Sequence, residues 1–256
     1  MVALASIADG KTDAGPRHSF VGRMGASLRA LASPPGQLTA DWIRGRRVGY
    51  LAPLSLFLWV NVAFFLVQSA SGLGILAWPL RVHLSDDSIA WLTTRLLAQH
   101  RPGIAASGDT YADVFNALEA VHAKSLVVVM VPAFALVLRA LLLDRREPFK
   151  DSLTFATHFF AFALIWLCAL FPTLAIALRF ITPKNGAPAP WLHSMDLVAT
   201  GLEAAVLGWY LYVALDTVFG LSRLRRLLMV ITLVAALYVI LMAYHVVVFA
   251  ATLYST

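Results

Sequence analysis

The chain has 256 residues, of which 60% are hydrophobic and 13% are charged, and its formal net charge is +6. Soluble domains carry about 25% charged and about 45–50% apolar residues, so this composition excludes an ordinary soluble domain and predicts an all-α integral membrane protein. The positive charges lie between apolar runs, as membrane topology requires, and no nucleic-acid partner is expected.

The first fifty residues are more polar than the rest of the chain. Residues 1–38 are rich in small residues and contain Pro34-Pro35-Gly36, which predicts a flexible N-terminal tail. Residues 39–50 predict a basic interfacial helix that Thr39 caps. We expect its cationic side to contact anionic lipid headgroups through Arg44, Arg46 and Arg47.

Five apolar stretches follow, each long enough to cross about 30 Å of hydrocarbon at about 1.5 Å per residue. They define a membrane domain over residues 51–253, with spans near 51–73, 124–143, 152–179, 197–219 and 227–253. The short connections DRREPFK (144–150) and GLSRLRR (220–226) are basic, so the positive-inside rule predicts a cytoplasmic N-terminus and an external C-terminus. PKNGAPAP (183–190) predicts a turn on the outer side.

The connection between the first two spans, residues 75–122, is too long for a bare loop and predicts a helical extracytoplasmic cap. Ser85-Asp86-Asp87 would cap its first helix, and Arg101-Pro102-Gly103 would end that helix. A second helix would begin at Asp109 and continue into the second span. Its predicted apolar stripe consists of Tyr111, Val114, Phe115, Leu118 and Val121.

Four runs, at residues 34–66, 124–142, 158–165 and 213–238, resemble those of an uncharacterised family of bacterial integral membrane proteins, a domain of unknown function. In the first run, PPGQLTADWIRGRRVGYLAPLSLFLWVNVAFFL, a P-G, a basic G-R-R and a Tyr-x-x-Pro lead into the first span. The resemblance implies a multi-pass topology and supplies no activity. Many family members carry an N-terminal zinc ribbon; the first cysteine here is Cys168, so that module and a zinc role are not expected.

Polar side chains inside the spans are the candidate functional residues, because ionisable groups at membrane depth cost about 2.5–3.5 kcal/mol on insertion scales. His158 either bonds to a neighbouring helix or carries protons or a ligand. Glu203 and His245 have matching depth, which predicts an interhelical pair whose role is structural or functional. Asn61 and Gln68 share one face of the first span and would join helices by hydrogen bonds.

The remaining intramembrane features favour structural roles. Asp216 lies near the cytoplasmic end of the fourth span, where it would reach lipid headgroups or Arg223. Pro132 and Pro172 would kink their helices. The sequence contains no histidine pair with metal-ligand spacing and no hydrolase or phosphate-binding motif. No catalytic residue, metal or cofactor is therefore predicted.

Three functions fit this sequence. The first is a non-enzymatic bacterial inner-membrane protein that packs against a partner, another membrane protein or a second copy, as an assembly, accessory or envelope-associated factor. The alternative is a small transporter or channel with a polar site around Asn61, His158, Glu203 and His245. A third is a lipid-active enzyme, which would need catalytic groups at one interface. A water-accessible space shared by the four polar residues would favour the transporter.

Overall fold

The computed structural model describes residues 19–32, 34–71, 76–102, 109–181 and 192–256. Within these ranges the chain is helical and contains no strand. The helices are α1 (Phe20–Ala32), α2 (Gln37–Ile43), α3 (Pro53–Ser71), α4 (Leu80–His83), α5 (Ala90–His100), α6 (Asp109–Leu126), α7 (Met130–Leu141), α8 (Phe149–Ile181), α9 (Leu192–Phe219) and α10 (Arg223–Ser255).

Among the described residues, five helical segments are long and apolar enough to cross a membrane, in agreement with the five predicted apolar stretches. They are Pro53–Ser71, Thr110–Leu141, Phe149–Leu174, Val198–Phe219 and Arg223–Ser255. The predicted turn at 183–190 lies outside the described residues.

The second span begins earlier than predicted because α6 runs into α7 through a short 3₁₀ turn at Val127–Val129. Pro132 in the first turn of α7 explains this change of winding, since proline offers no backbone N–H to the preceding turn. α6 and α7 therefore follow one another almost without interruption, and α6 extends before the apolar stretch predicted at 124–143.

α8 lies at the centre of the bundle, where α2, α3 and α7 pack against it. Its aromatic side chains form the core. Phe159 stacks on Phe134 of α7 with 4.9 Å between ring centroids, and Phe162 stacks on Tyr210 of α9 at 3.9 Å. Such pairs contribute about 0.5–1.5 kcal/mol each beyond their burial. Rigid packing on both sides fixes the position of the neighbouring His158.

The basic helix predicted at 39–50 is shorter and more buried than expected. α2 occupies Gln37–Ile43, packs against α8 and α9, and buries Leu38, Thr39, Ala40 and Asp41. Thr39 is therefore inside the helix and is not its cap; Gly36 occupies the N-cap position. The helix is a wedge between two spans, and only its C-terminal side faces outward.

α2 ends where it does because Gly45 takes a left-handed conformation, with φ of 83°. The Gly45 N–H donates to the Trp42 carbonyl at 3.2 Å, and the Arg46 N–H donates to the Asp41 carbonyl at 2.8 Å. These two bonds form a Schellman motif, which terminates helices at glycine. Residues 44–50 consequently form turns and do not continue the helix.

The prediction of a flexible tail over residues 1–38 is wrong for α1. The Ser19 hydroxyl accepts the Gly22 N–H at 3.0 Å and so caps this helix. Ser27 is buried, and its hydroxyl accepts the Leu51 N–H at 2.9 Å, which ties α1 to the start of the first span. Phe20 contacts Trp59 of α3, with 5.3 Å between ring centroids. Residues 1–18 lie outside the described residues.

Residues 76–102, called the insertion below, carry α4 and α5. Ser85-Asp86-Asp87 form turns, and α5 begins only at Ala90. α6 has the predicted start at Asp109, but its inner face is rotated from the predicted stripe. Phe115, Glu119 and Ala123 are buried there, whereas Val114 and Val121 are 50% and 56% exposed. The inner face thus includes a carboxyl group that the apolar stripe did not contain.

Candidate functional site

His158 lies inside the bundle, where α2 covers α8. Its Nδ1 atom is 2.9 Å from the Thr39 hydroxyl, and 1% of the residue is exposed. Its Nε2 atom is buried without a hydrogen-bond partner. Thr154, one turn earlier on α8, donates instead to the Lys150 carbonyl at 2.9 Å. The histidine therefore ties α8 to α2 through a single polar contact.

Asp41 organises the segment that leads from α2 into α3. Its Oδ1 accepts hydrogen bonds from Gln37 Nε2 at 2.7 Å and Arg46 Nε at 3.0 Å, and its Oδ2 accepts one from the Tyr50 hydroxyl at 3.2 Å. Burial alone would raise the pKa of this carboxyl, but the bonds from Gln37 and Arg46, the Arg46 charge and the Tyr50 bond together lower the pKa below its ordinary value. The ionised carboxylate closes residues 37–50 into one unit.

A cleft of about 650 Å³ opens beside this unit, between α1 and the turn before α3. Arg29, Gln37 and Tyr50 line it together with small residues of α1. Val21 and Val48 also line it, and they are 78% and 87% exposed. Basic and apolar side chains thus meet at one surface, as is typical of a membrane–water boundary.

The three arginines predicted to contact lipid headgroups also contact protein. Arg46 belongs to the Asp41 unit. The Arg47 guanidinium lies over the Trp42 ring, 5.2 Å from its centroid, and Arg44 Nη2 donates to the Thr217 carbonyl at 3.4 Å. All three remain exposed. Their contacts fix their positions while leaving surface for anions to approach.

Further arginines close the same end of the bundle, called the arginine-rich end below. Arg226 Nη1 pairs with Asp216 at 2.7 Å, so the partner of Asp216 is Arg226 and not the predicted Arg223. Arg225 makes a bidentate pair with Asp144 at 2.6 and 2.7 Å. These pairs join the connection after α7 and the end of α9 to the first turn of α10.

His245 belongs to a second polar cluster at the opposite end, where the insertion packs on α6 and α10. Its ring stacks on Trp78, with 3.8 Å between centroids and 17° between planes, and lies 6.1 Å from the His83 ring. His83 Nε2 is 2.7 Å from Glu119 Oε1, and both side chains are buried. The Trp78 N–H also donates to Glu119 Oε1, at 2.9 Å. We call these residues, with Phe115 beside them, the His83–Glu119–His245 cluster.

The structure does not bring the four predicted site residues together. His158 and His245 belong to separate clusters, and no ion pair among the described residues joins Glu203 to His245. Asn61 and Gln68 are half-buried on α3, and their amide oxygens are buried without partners. The hydrogen bonds predicted from these two amides to other helices are therefore absent from this part of the chain. Neither the 650 Å³ cleft nor a smaller apolar one of about 120 Å³ beside Tyr244 is lined by any of the four.

Comparison with known families places the Asp41 unit in context. Residues 22–65 match the sequence model of one family. Its description is "Protein of unknown function (DUF3667)". The matched segment contains most of α1, all of α2 and most of α3, and with them the Asp41 unit and Thr39. It agrees with the resemblance to an uncharacterised family at the entry to the first span; the later motifs lie beyond it. No curated protein and no solved structure matches the chain significantly.

Sequence reasoning missed His83, Glu119 and Asp41 as parts of polar clusters. A signal for Glu119 was present, since it follows buried Phe115 by four residues and so shares its helical face. Asp41 is five residues before Arg46 and nine before Tyr50. The Schellman turn brings these side chains together, and it could have been predicted only if Gly45 had been recognised as the end of the helix. No local pattern connects His83 with His245, which are 162 positions apart.

Proposed function

We propose that this chain is a non-enzymatic bacterial inner-membrane protein that acts by packing α3 against a transmembrane helix of another membrane protein. The N-terminus and the arginine-rich end would be cytoplasmic, and the insertion would form a cap outside. The basic connections on one side of the spans support this orientation. In this arrangement the matched segment holds α3 in position from the cytoplasmic surface.

The placement of the polar residues favours partner binding over transport. A transport pathway would need polar side chains around a shared space that water can enter. His158 faces α2, His245 faces the insertion, and neither lines either of the two clefts described above. The buried polar groups instead hold neighbouring helices together.

The observation that carries the proposal is the pair of amides on α3. α3 packs mainly on α8, and much of its remaining surface is apolar and exposed. Asn61 and Gln68 are two helical turns apart on the edge of that contact, and their oxygens are buried without partners. An amide without a partner has no compensation in hydrocarbon, where hydrogen bonds between helices contribute about 0.6 kcal/mol on average and up to about 1.7. A partner helix could not reach these enclosed oxygens, but it could accept hydrogen bonds from the amide nitrogens of the same two half-buried side chains.

Site-specific photocrosslinking in native membranes tests the proposal. A photoreactive residue at Leu58, one turn before Asn61, should yield one discrete adduct with another protein. The matched control is Leu66, which is exposed about 80° around the same helix from Leu58 and about 140° from Asn61, and which should yield none. The double variant Asn61→Leu with Gln68→Leu should abolish the adduct from Leu58, because the apolar side chains keep the helix surface but offer no hydrogen bonds.

The same variant separates loss of binding from loss of folding. Replacing two buried, unpartnered oxygens with apolar groups should leave the isolated protein at least as stable as the parent, measured by unfolding in mixed detergent micelles. A stable double variant that still forms the adduct would contradict the role of the amides. An adduct of twice the chain mass would identify a second copy as the occupant and overturn the proposed partner. Equal adducts from Leu58 and Leu66 would show a non-specific lipid-facing surface.

A further inference from the structure

The insertion is held to the bundle by polar contacts concentrated on α6. Glu119 Oε1 accepts hydrogen bonds from the Trp78 backbone and from His83. Asn116, one turn earlier, accepts the Leu80 N–H at 2.8 Å. Leu80 and Leu97 of the insertion also pack on Phe115, Phe249 and Leu253, so the protonation state of the histidines and Glu119 affects only the polar part of this attachment.

The geometry of the His83–Glu119–His245 cluster limits which of its side chains can be protonated. The Nδ1 atoms of His83 and His245 and the Oε2 atom of Glu119 are all buried without a partner. A protonated imidazole has two N–H donors, and each needs an acceptor when water is excluded. His245 lies against the Trp78 face with a second imidazole 6.1 Å away and makes no ion pair among the described residues, so a charge on it would have no anionic partner. The packed arrangement therefore holds His245 as a neutral ring.

We propose that attachment of the insertion to α6 and α10 is linked to pH, with His245 neutral when the insertion is attached and protonated when it is released. Release would separate Trp78 from His245, giving the imidazole water as a partner. It would also uncover the apolar residues beneath the insertion, Phe115, Phe249 and Leu253, which are fully buried in the attached state. The cluster thus couples external acidity to exposure of an apolar surface.

The position of His245 along α10 makes it accessible to protons after release. It lies nineteen positions after Arg226, which corresponds to about 28 Å along a helix. A hydrocarbon layer is about 30 Å thick. A layer that begins near the arginine-rich end therefore ends close to His245, at the level where water and protons reach the protein.

The other charged groups of the surrounding helices do not satisfy His245. From α4 it faces His83, and from α6 it faces Glu119; its neighbour on α10 is Tyr244, whose hydroxyl donates to the Ala123 carbonyl at 2.9 Å. α5 contributes Thr93, which does not titrate and donates to the His83 carbonyl at 2.6 Å. The exposed charged side chains described on α4, α5 and α6 are those of Arg81, Arg95, Asp113 and Lys124. Glu119 Oε1 is engaged by His83 and Trp78, and no hydrogen bond or ion pair joins Glu119 to His245 in the described structure.

The binding of one proton sets how strongly a change in pH shifts the equilibrium between the attached and released insertion. A free imidazole titrates near pH 6.5. If only the released state binds this proton, lowering the pH from 7.5 to 5.5 favours release by about tenfold, because the state that binds more protons gains at low pH. Removing the titratable ring should remove this factor.

Hydrogen exchange on the full-length protein in lipid nanodiscs measures the factor directly. After correction for the intrinsic rate of exchange, amides of α4 and α5 should lose about tenfold of their protection between pH 7.5 and 5.5, while those of α8 around Phe159 should not change. The variant His245→Phe keeps an aromatic ring against Trp78 and should lose the pH effect. The matched control His122→Gln changes a half-buried histidine on α6, whose Nδ1 is 3.0 Å from the Thr252 hydroxyl, and should retain it.

Two further outcomes decide the proposal. Glu119→Gln should weaken protection of the insertion already at pH 7.5, because the amide accepts the two bonds less strongly than a carboxylate. If this variant fails to fold, His245→Phe still provides the test. Unchanged protection in the parent protein across the pH range would overturn the proposal. So would an undiminished tenfold effect in His245→Phe, since the proton would then bind elsewhere.

Discussion

Gly36 offers the sharpest test of how α2 enters the bundle. It has a φ of 83°, and a Cβ atom placed on it would lie 2.7 Å from the Ala214 Cα and 2.9 Å from the Ala214 carbonyl oxygen. Ordinary contacts between carbon atoms are about 3.5–4.0 Å. Because the obstacle is backbone of α9, Gly36→Ala must shift α2 or α9 by about 1 Å.

Gly45 provides a matched control, because it also has a φ of 83° but an added Cβ would meet nothing within 4 Å. Both alanine variants carry the cost of a left-handed residue, about 1–2 kcal/mol. Only Gly36→Ala adds overpacking, which costs about 1–3 kcal/mol. The free energy of unfolding should therefore fall by about 1–3 kcal/mol more in Gly36→Ala than in Gly45→Ala.

Reversible unfolding by SDS in mixed micelles, followed by tryptophan fluorescence, measures this difference at a fixed lipid-to-detergent ratio. The two unfolding transitions should have the same slope, so that the difference between their midpoints reports the difference in the free energy of unfolding. If Gly36→Ala proves as stable as Gly45→Ala within about 0.5 kcal/mol, then α2 does not pack on α9 as described, and the wedge between α8 and α9 is wrong.

Three other predictions use the same assay. Thr39→Val should lower the free energy of unfolding by about 1–3 kcal/mol, because buried His158 loses its hydrogen-bond partner. Thr39→Ser keeps the hydroxyl and should retain most of the parent's stability. Equal losses in the two variants would show that the hydroxyl is irrelevant. The lowered pKa of Asp41 means that its stabilisation is complete above about pH 4 and is lost as the pH falls through the folded-state pKa. Asp41→Asn should therefore flatten the loss of stability between pH 5 and 3, and an unchanged profile would contradict this role. Arg225 and Asp144 should show a coupling in a double-mutant cycle that shrinks between 0.1 and 1 M NaCl, as the Debye length falls from about 10 to about 3 Å; a salt-independent coupling would be inconsistent with an exposed pair.

The five spans could be predicted from sequence because the length of an apolar run is set by the thickness of the bilayer and needs no knowledge of neighbours. Burial within the bundle could not be predicted in that way. α2 is short and basic at one end, so its sequence favoured the membrane surface, yet Leu38 and Ala40 are 1% and 2% exposed. The decisive feature was the fit of Gly36 against α9, which is a property of two distant segments.

For the polar residues too, some properties could be predicted from sequence and others could not. Depth along a helix could be estimated for His245, but direction around the helix axis could not, and its partners are Trp78 and His83 in the insertion. Glu203 has a similar predicted depth and no ion pair among the described residues. Matching depth is therefore a weak guide to pairing when a folded connection supplies competing side chains.

The hydrogen bond of 2.8 Å between Ser88 and Tyr238 sets how far the insertion descends beside α10. Tyr238 lies twelve positions after Arg226, or about 18 Å along the helix. Asp86 and Asp87, in the same turn as Ser88, are charged residues that hydrocarbon excludes. If the guanidinium layer at Arg226 marks one membrane boundary, lipids on this flank would be shorter than those beside the 19-residue α3, which extends about 28 Å. The surrounding lipid layer would then be uneven in thickness, and hydrophobic mismatch would draw short-chain lipids or short transmembrane segments to the thin side.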